Sequence, residues 1–366
     1  MQSLFALHDG CNSSSCIDLG VASPSEPPAT PIGTALASML TSGALASLAG
    51  YPDPQGEGAT RDAIRHLYES IGCAVDPDAM VVTNGAHSEI VLWVDKVFQG
   101  LTIGVQHPRY PAIEAQAGSN SRRRVAYDPT TRELELPNRG EVDVLYLCNP
   151  HNPTGTVMQA SYLQSLVDWC VDTDVILFYD NVYATFQGCA PFFSIYEMDG
   201  AGLCAVEINS LSKTANFAGL RFGWTTMLPG LNSCSLRDRR ISLAFSDAAG
   251  VSKLDQMAGR IAITPALMER QKVGVRGYLE NARILREACA RLGLRVVGGV
   301  EMPMLWIQIP QGDAVSFVNR MHAELEIFVS AGPIFGEGFD EWIRMSAFCS
   351  EPQAREAAVR IASWKL

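Results

Sequence analysis

Asn209-Ser210-Leu211-Ser212-Lys213, followed by Gly219-Leu220-Arg221-Phe222-Gly223-Trp224, sets one lysine among small hydroxyls and an arginine eight residues later. A lysine can hold an aldehyde as a Schiff base, and a planar guanidinium beside hydroxyls can grip a phosphate. A solvated loop lysine is the plain alternative, because most lysines are exposed. Two upstream stretches argue against it. Val144-Leu145-Tyr146-Leu147-Cys148 is a short apolar run that ends in Asn149-Pro150-His151-Asn152-Pro153-Thr154-Gly155, the pattern of a buried strand opening into a loop at its C-terminal edge. Open α/β sheets bind ligands at that edge, which places Asn152 to donate a hydrogen bond. A turn built only on its prolines and glycine explains the same loop. Val175-Ile176-Leu177-Phe178-Tyr179-Asp180 is a second apolar strand closed by an aspartate, with Tyr183 three residues on. A carboxylate there is costly unless a cation pairs with it or it caps a following helix.

An aldehyde, a phosphate monoester and a protonatable ring nitrogen occur together in pyridoxal 5′-phosphate (PLP), and these stretches offer a partner for each. Lys213 is the Schiff-base candidate, Asp180 the partner of the ring nitrogen, and Asn152 and Tyr183 the partners of the 3′-oxygen. Together the stretches resemble fold-type I PLP enzymes of the class I/II aminotransferase group, along nearly the whole chain. In motif they resemble LL-diaminopimelate aminotransferases in particular, through residues 179–186, 205–213 and 342–348.

The resemblance implies an enzyme that moves an amino group from an L-amino acid to a 2-keto acid, with Lys213, Asp180 and Tyr183 catalytic. It implies that Arg221, Ser210 and Ser212 hold the phosphate, joined by Gly85, Ala86 and His87 at the helix start after Met80-Val81-Val82. Tyr110, in Pro108-Arg109-Tyr110-Pro111, is the implied stacking partner of the ring, and Arg344 takes the substrate α-carboxylate with Asn152 and Gly20 nearby. Tyr51, at the head of the 51–61 stretch, is implied to reach the phosphate of a neighbouring subunit, giving a homodimer with shared active sites.

Apolar strands alternate with helical patterns such as Ile64, Leu67, Tyr68, Ile71 and Leu163, Leu166, Val167, Cys170, which predicts a mainly parallel sheet covered on both faces. The resemblance refines this to the α/β PLP-dependent transferase fold of type I. A large domain (40–255) would carry a mainly parallel seven-stranded sheet between helices, and both termini (1–39 and 256–366) would build a smaller α+β domain. Residues 274–292 read as a long helix, 294–297 and 304–309 as strands, and 22–34, rich in Pro and Ser, as coil.

The chain has 366 residues, 47% hydrophobic and 18% charged, enough for a large core. Its net charge of −11 leaves no footprint for a nucleic-acid backbone, so nucleic acid is not an expected partner. Residues 1–16 lack a basic start and a long apolar run, and no stretch reaches membrane-span length, so the expectation is a cytoplasmic enzyme without membrane contact. The ten cysteines are scattered without a Cys-x-x-Cys pair and read as reduced core residues, with neither disulfides nor a metal site expected.

Against the diaminopimelate pattern, Leu19-Gly20 is followed by Val21-Ala22-Ser23-Pro24 in place of an acidic residue and threonines, His87 replaces a lysine, and Ala249 an asparagine. These changes remove groups that read a distal ammonium and carboxylate, which argues against LL-diaminopimelate as substrate. Residues 149–153 and 344–349 also resemble the capreomycidine synthase group, so elimination or cyclisation on the same scaffold is the alternative reading. A non-catalytic relative is a third, opposed by the presence of Lys213, Asp180 and Arg221 together.

Overall fold

A computed structural model of the protein describes residues 15–114, 121–187, 192–231, 234–246 and 250–366. Its strands are β1 (Ile17–Asp18), β2 (Met80–Thr83), β3 (Thr102–His107), β4 (Ser121–Asp128), β5 (Glu133–Leu134), β6 (Val144–Cys148), β7 (Ile176–Asp180), β8 (Ala205–Ser210), β9 (Gly223–Met227), β10 (Arg295–Gly298), β11 (Met304–Gln308), β12 (Ile327–Phe328), β13 (Ser330–Ala331) and β14 (Trp342–Ser346). The large sheet has the order β2-β9-β8-β7-β6-β3-β4-β5. Strands β8, β7, β6, β3 and β4 run parallel, β9 is reversed between β8 and β2, and β5 folds back antiparallel on β4. The expected seven strands are all present; the two-residue β5 is an eighth, too short for residue periodicity to reveal.

Every residue of β2, β6, β7, β8 and β9 is buried, as a sheet covered on both faces requires. Register then collects one functional edge. Thr83 pairs with Gly223, Ser210 with Gly223, Asp180 with Ile208, and Cys148 with Asp180. The segments leaving β2, β6, β7 and β8, and the one entering β9, therefore all meet at this edge.

A four-stranded antiparallel sheet, β10-β11-β14-β13, forms the smaller unit, and β1 adds in parallel to β12 through Ile17 opposite Ile327. Leu19, Leu305, Ile307, Phe317, Ile343 and Ile361 share its core. The residues 22–34, expected as coil, include the start of a helix, Thr30–Thr41, with Pro31 in its first turn where a missing N–H costs nothing. Ile32 of that helix packs with Ile64, Tyr68 and Phe222, and Ala258, Ala262, Leu267 and Met268 join the same cluster. The helix Pro265–Arg291 runs from there into the small core, where Ala282, Leu285 and Cys289 pack. We infer that the division between the units follows this packing, through the long helix and between Leu19 and Ile32, rather than residues 39 and 255. Cys16 is disulfide-bonded, which corrects the expectation of reduced cysteines throughout. It lies half-buried near the start of the described chain, outside the tightly packed interior that keeps Cys73, Cys148, Cys170, Cys204, Cys289 and Cys349 free.

Beneath the large sheet Glu89 and Arg240 form a buried ion pair, with Arg240 Nε donating to Oε1 at 2.6 Å and Nη2 to Oε2 at 2.8 Å. Trp93 Nε1 and Thr225 Oγ1 donate to the same carboxylate, each at 2.7 Å. The pair thus ties the helices Ala86–Leu92 and Cys234–Ser246 to β9. Arg240→Ala leaves the carboxylate buried without its cation and should lower the unfolding free energy by about 3–5 kcal/mol, read from the midpoint of a urea titration.

Candidate active site

A cavity of about 370 Å³ opens at the functional edge of the large sheet, with Phe328, Ser330 and Arg344 of the small unit on its other side. Gly20, Ala86, His87, Tyr110, Asn152, Asp180, Tyr183, Ser210, Ser212, Lys213, Arg221 and Arg344, all expected site residues, line it. Gly85 lies directly behind Arg221, and Tyr51 is 92% exposed and does not line the cavity.

Lys213 sits in the short helix Leu211–Thr214, whose start is capped by Ser210, with Oγ accepting from Ser212 N at 3.2 Å. The Lys213 ammonium donates to the Ala22 carbonyl and lies 5.7 Å from the Phe348 ring centre. Burial, and then the neighbouring Arg344 and Arg221, push its pKa down to about 8. An amine so placed gives up its proton more readily than an exposed lysine.

Asp180 ends β7 with 4% of its surface exposed. Tyr146 Oη donates to Oδ2 at 2.8 Å and Val182 N to Oδ1 at 3.3 Å. Burial outweighs these donors, and the Cys148 thiol beside them, and raises the carboxyl to about 6. Among the described residues no cation pairs with it, so this carboxylate is suited to a cationic ring atom.

Arg221, in the left-handed conformation at φ +53°, donates to the Ala218 carbonyl at 2.8 Å and the Asn84 carbonyl at 3.1 Å. Gly85 has φ +84°, and a Cβ there would stand 2.8 Å from Arg221 Nη2. Close approach of the Gly85 backbone to the Arg221 guanidinium forms a cradle completed by the hydroxyls of Ser210 and Ser212, 3.0 Å apart. His87 meets Tyr110 Oη through Nδ1 at 3.1 Å. Burial, then Arg221, lowers its pKa, which keeps the imidazole neutral near pH 7.

Arg344 comes from β14 and is 7% exposed. Its Nη1 donates to Asn152 Oδ1 at 3.0 Å, and Asn152 Nδ2 reaches Tyr183 Oη at 3.5 Å. Nη2 donates to the Gly20 carbonyl, and the guanidinium lies 4.7 Å over the Phe335 ring. Burial lowers its pKa to about 10. Nε is buried without a hydrogen-bond partner, and among the described residues Arg344 has no ion pair, a state that suits an incoming carboxylate.

Sequence reasoning missed Tyr146 and Cys148 beside Asp180, and the apolar wall of Val21, Ala22, Phe328, Ile334 and Phe335. Period-two alternation was the available signal for the first two, since they share a sheet face with Asp180 opposite Cys148. Ala249 lies outside the described residues.

A half-buried lysine after one strand, a buried aspartate at the end of another and an arginine cradle on one edge of a mixed sheet define a fold-type I enzyme, a class whose members use PLP. The family model for aminotransferase class I and II matches residues 14–361, and the chain belongs to that family. It is an aminotransferase. The LL-diaminopimelate aminotransferase of Phocaeicola vulgatus is 33% identical, over 87% of this chain and 83% of the relative, and that of Parabacteroides distasonis 31%, over 86% and 82%. The solved L,L-diaminopimelate aminotransferase from Chlamydomonas reinhardtii superposes with a TM-score of 0.85 at 25% identity, covering 98% of this chain and 93% of that one. An aminotransferase from Mycobacterium tuberculosis shares the fold, with a TM-score of 0.85 at 24% identity, covering 99% and 95%.

The depressed Lys213 pKa has a stability consequence. Between about 8 and the ordinary 10.5 the unfolded chain holds more protons at this site than the folded one, so stability rises with pH across that window, and the full penalty applies below it. Lys213→Met should therefore stabilise the cofactor-free protein by about 1–3 kcal/mol at pH 7 and by little at pH 10.5, measured by denaturant titration at both.

Proposed function

We propose that the cavity holds PLP and that the chain's own residues there transfer an amino group from an L-amino acid to a 2-keto acid. The observation that carries the reading is the convergence of Lys213, Asp180, Arg221 and Arg344 on one cavity, none in an ion pair among the described residues. The donor set fits the cofactor: an unpaired buried carboxylate for a ring nitrogen, a cradle for a phosphate, and a half-buried amine for an aldehyde.

Bound there, PLP supplies a ring that takes up the electron pair left when a substrate Cα–H bond breaks. Asp180 keeps the ring nitrogen protonated, and Asn152 and Tyr183 hold the 3′-oxygen. Arg221, Ser210 and Ser212, with Gly85, Ala86 and His87, take the phosphate, and Tyr110 covers the ring face. Arg344 fixes the α-carboxylate and thereby the direction of the Cα–H bond, which selects proton loss over decarboxylation. The Lys213 amine, once freed, removes the proton from Cα. Its pKa of about 8 leaves an appreciable fraction in the basic form near neutrality.

The same reading makes the active unit a homodimer, in which the exposed Tyr51 ring serves the partner's cavity. Among the described residues no helix is long and apolar enough to cross a membrane. We place the enzyme in the cytoplasm, in keeping with six buried free cysteines, whereas the disulfide at Cys16 pulls the other way.

Purified protein loaded with PLP should show a lysine-linked visible absorbance, absent in Lys213→Ala, that an amino acid bleaches and a 2-keto acid restores. Arg344→Gln should keep that absorbance and raise KM for the amino acid about 100-fold. A wild-type protein without the absorbance, or one that releases ammonia instead of passing the amino group on, overturns the reading.

A further inference from the structure

Resting on that reading, we infer that the substrate's side chain occupies an apolar subsite, so that the enzyme acts on uncharged amino acids such as leucine, methionine or phenylalanine and on their 2-keto acids. Among the described residues that line the cavity, every charged group already has a partner to serve. Arg221 is fixed by the carbonyls of Ala218 and Asn84 on the phosphate side, and Asp180 lies against Tyr146 at the floor. Lys213 serves the aldehyde and Cα, and Arg344 the α-carboxylate. His87 is neutral and turned to Tyr110.

The cavity wall beside Arg344 is apolar. Phe335 lies under its guanidinium, Phe328 and Ile334 line the small-unit wall, and Val21 and Ala22 line it from the N-terminal segment. That segment is seated closely: a Cβ on Gly20 would stand 2.5 Å from the Phe328 ring. The Ser330 hydroxyl and the Asp18 carboxylate here are already engaged, because Ser330 Oγ donates to the Gly20 carbonyl at 2.7 Å and Asp18 Oδ1 accepts from Gly20 N at 2.8 Å. A distal carboxylate, as in glutamate, would lose its water against this wall and gain no cation among the described residues that line the cavity. The distal ammonium of LL-diaminopimelate would likewise find no free carboxylate among the described residues that line the cavity.

The test uses carboxylates that lack an amino group and so cannot react. Titrated calorimetrically into the PLP-loaded protein, 4-methylpentanoate and 3-phenylpropanoate should bind at least about tenfold more tightly than glutarate. Ile334→Arg should invert that order by supplying a cation, whereas Ile334→Ala, the check on folding, should preserve it. In turnover, kcat/KM for leucine, methionine and phenylalanine should exceed that for aspartate, glutamate and LL-diaminopimelate about 100-fold. Glutarate binding as tightly as the apolar acids, or charged amino acids turning over faster, overturns the subsite. Preferential binding of the apolar acids without any amino transfer would leave the subsite standing and remove the reaction instead.

Discussion

Arg344 is a buried cation held by neutral acceptors. Its contacts to Asn152 and the Gly20 carbonyl bind a strand of the small sheet to the loop after β6 and to the N-terminal segment, and so set the width of the cavity between the two units. An arginine buried without a carboxylate costs several kcal/mol in lost hydration, of which neutral partners recover only part. Asp180 is its mirror image, a buried anion supported by a phenol and an amide. Lys213 answers the same constraint by shedding its proton more readily. The site is therefore built from charges whose opposite partners arrive with the ligands, and the fold must hold them apart while it waits.

The rigidity for this comes from buried polar networks outside the cavity. Tyr127 Oη lies 2.7 Å from Thr156 Oγ1, which lies 2.7 Å from Thr154 Oγ1, itself 2.7 Å from His151 Nδ1; His151 Nε2 then donates to the Pro108 carbonyl at 3.0 Å. Burial drives the His151 pKa down to about 3, so the ring is neutral, and the contact to a carbonyl places the proton on Nε2. This chain clamps the Asn152 loop to the segment that carries Tyr110. Glu207 performs a related task on β8, accepting from Tyr68, Asn209, Ser194 and the Ile195 amide at 2.6–2.8 Å. Gly155 adds a steric condition, because a Cβ there would collide with the Met304 carbonyl of the small sheet. With these groups hydrogen-bonded to one another, the edge that presents Asp180 and Lys213 has little freedom to shift.

Much of this was legible in the chain itself. The apolar runs that became β6, β7 and β8 give way to polar residues at the edge of the sheet that lines the cavity, and that is where Asn152, Asp180 and Lys213 stand. Helical spacing located Gly58–Glu69 and Ala160–Thr173. The helix Thr30–Thr41 was obscured by a Pro- and Ser-rich lead-in, although Pro31 was a start signal. The cysteine pattern concealed the bond at Cys16, because pairing depends on where two chain segments meet.

The linear chain already carried the chemistry on offer: one lysine among hydroxyls, one aspartate at a strand end, one arginine in a late strand, and the alternation that makes a parallel sheet. Those are local properties, set by residue type and spacing. Tertiary structure alone decided which groups share a cavity, that Tyr146 supports Asp180, that the Gly20 carbonyl receives Arg344, and that Val21, Ala22, Phe328, Ile334 and Phe335 form one wall. These contacts join residues up to 324 positions apart, some through backbone atoms common to every amino acid, so no pattern in the linear chain distinguishes them.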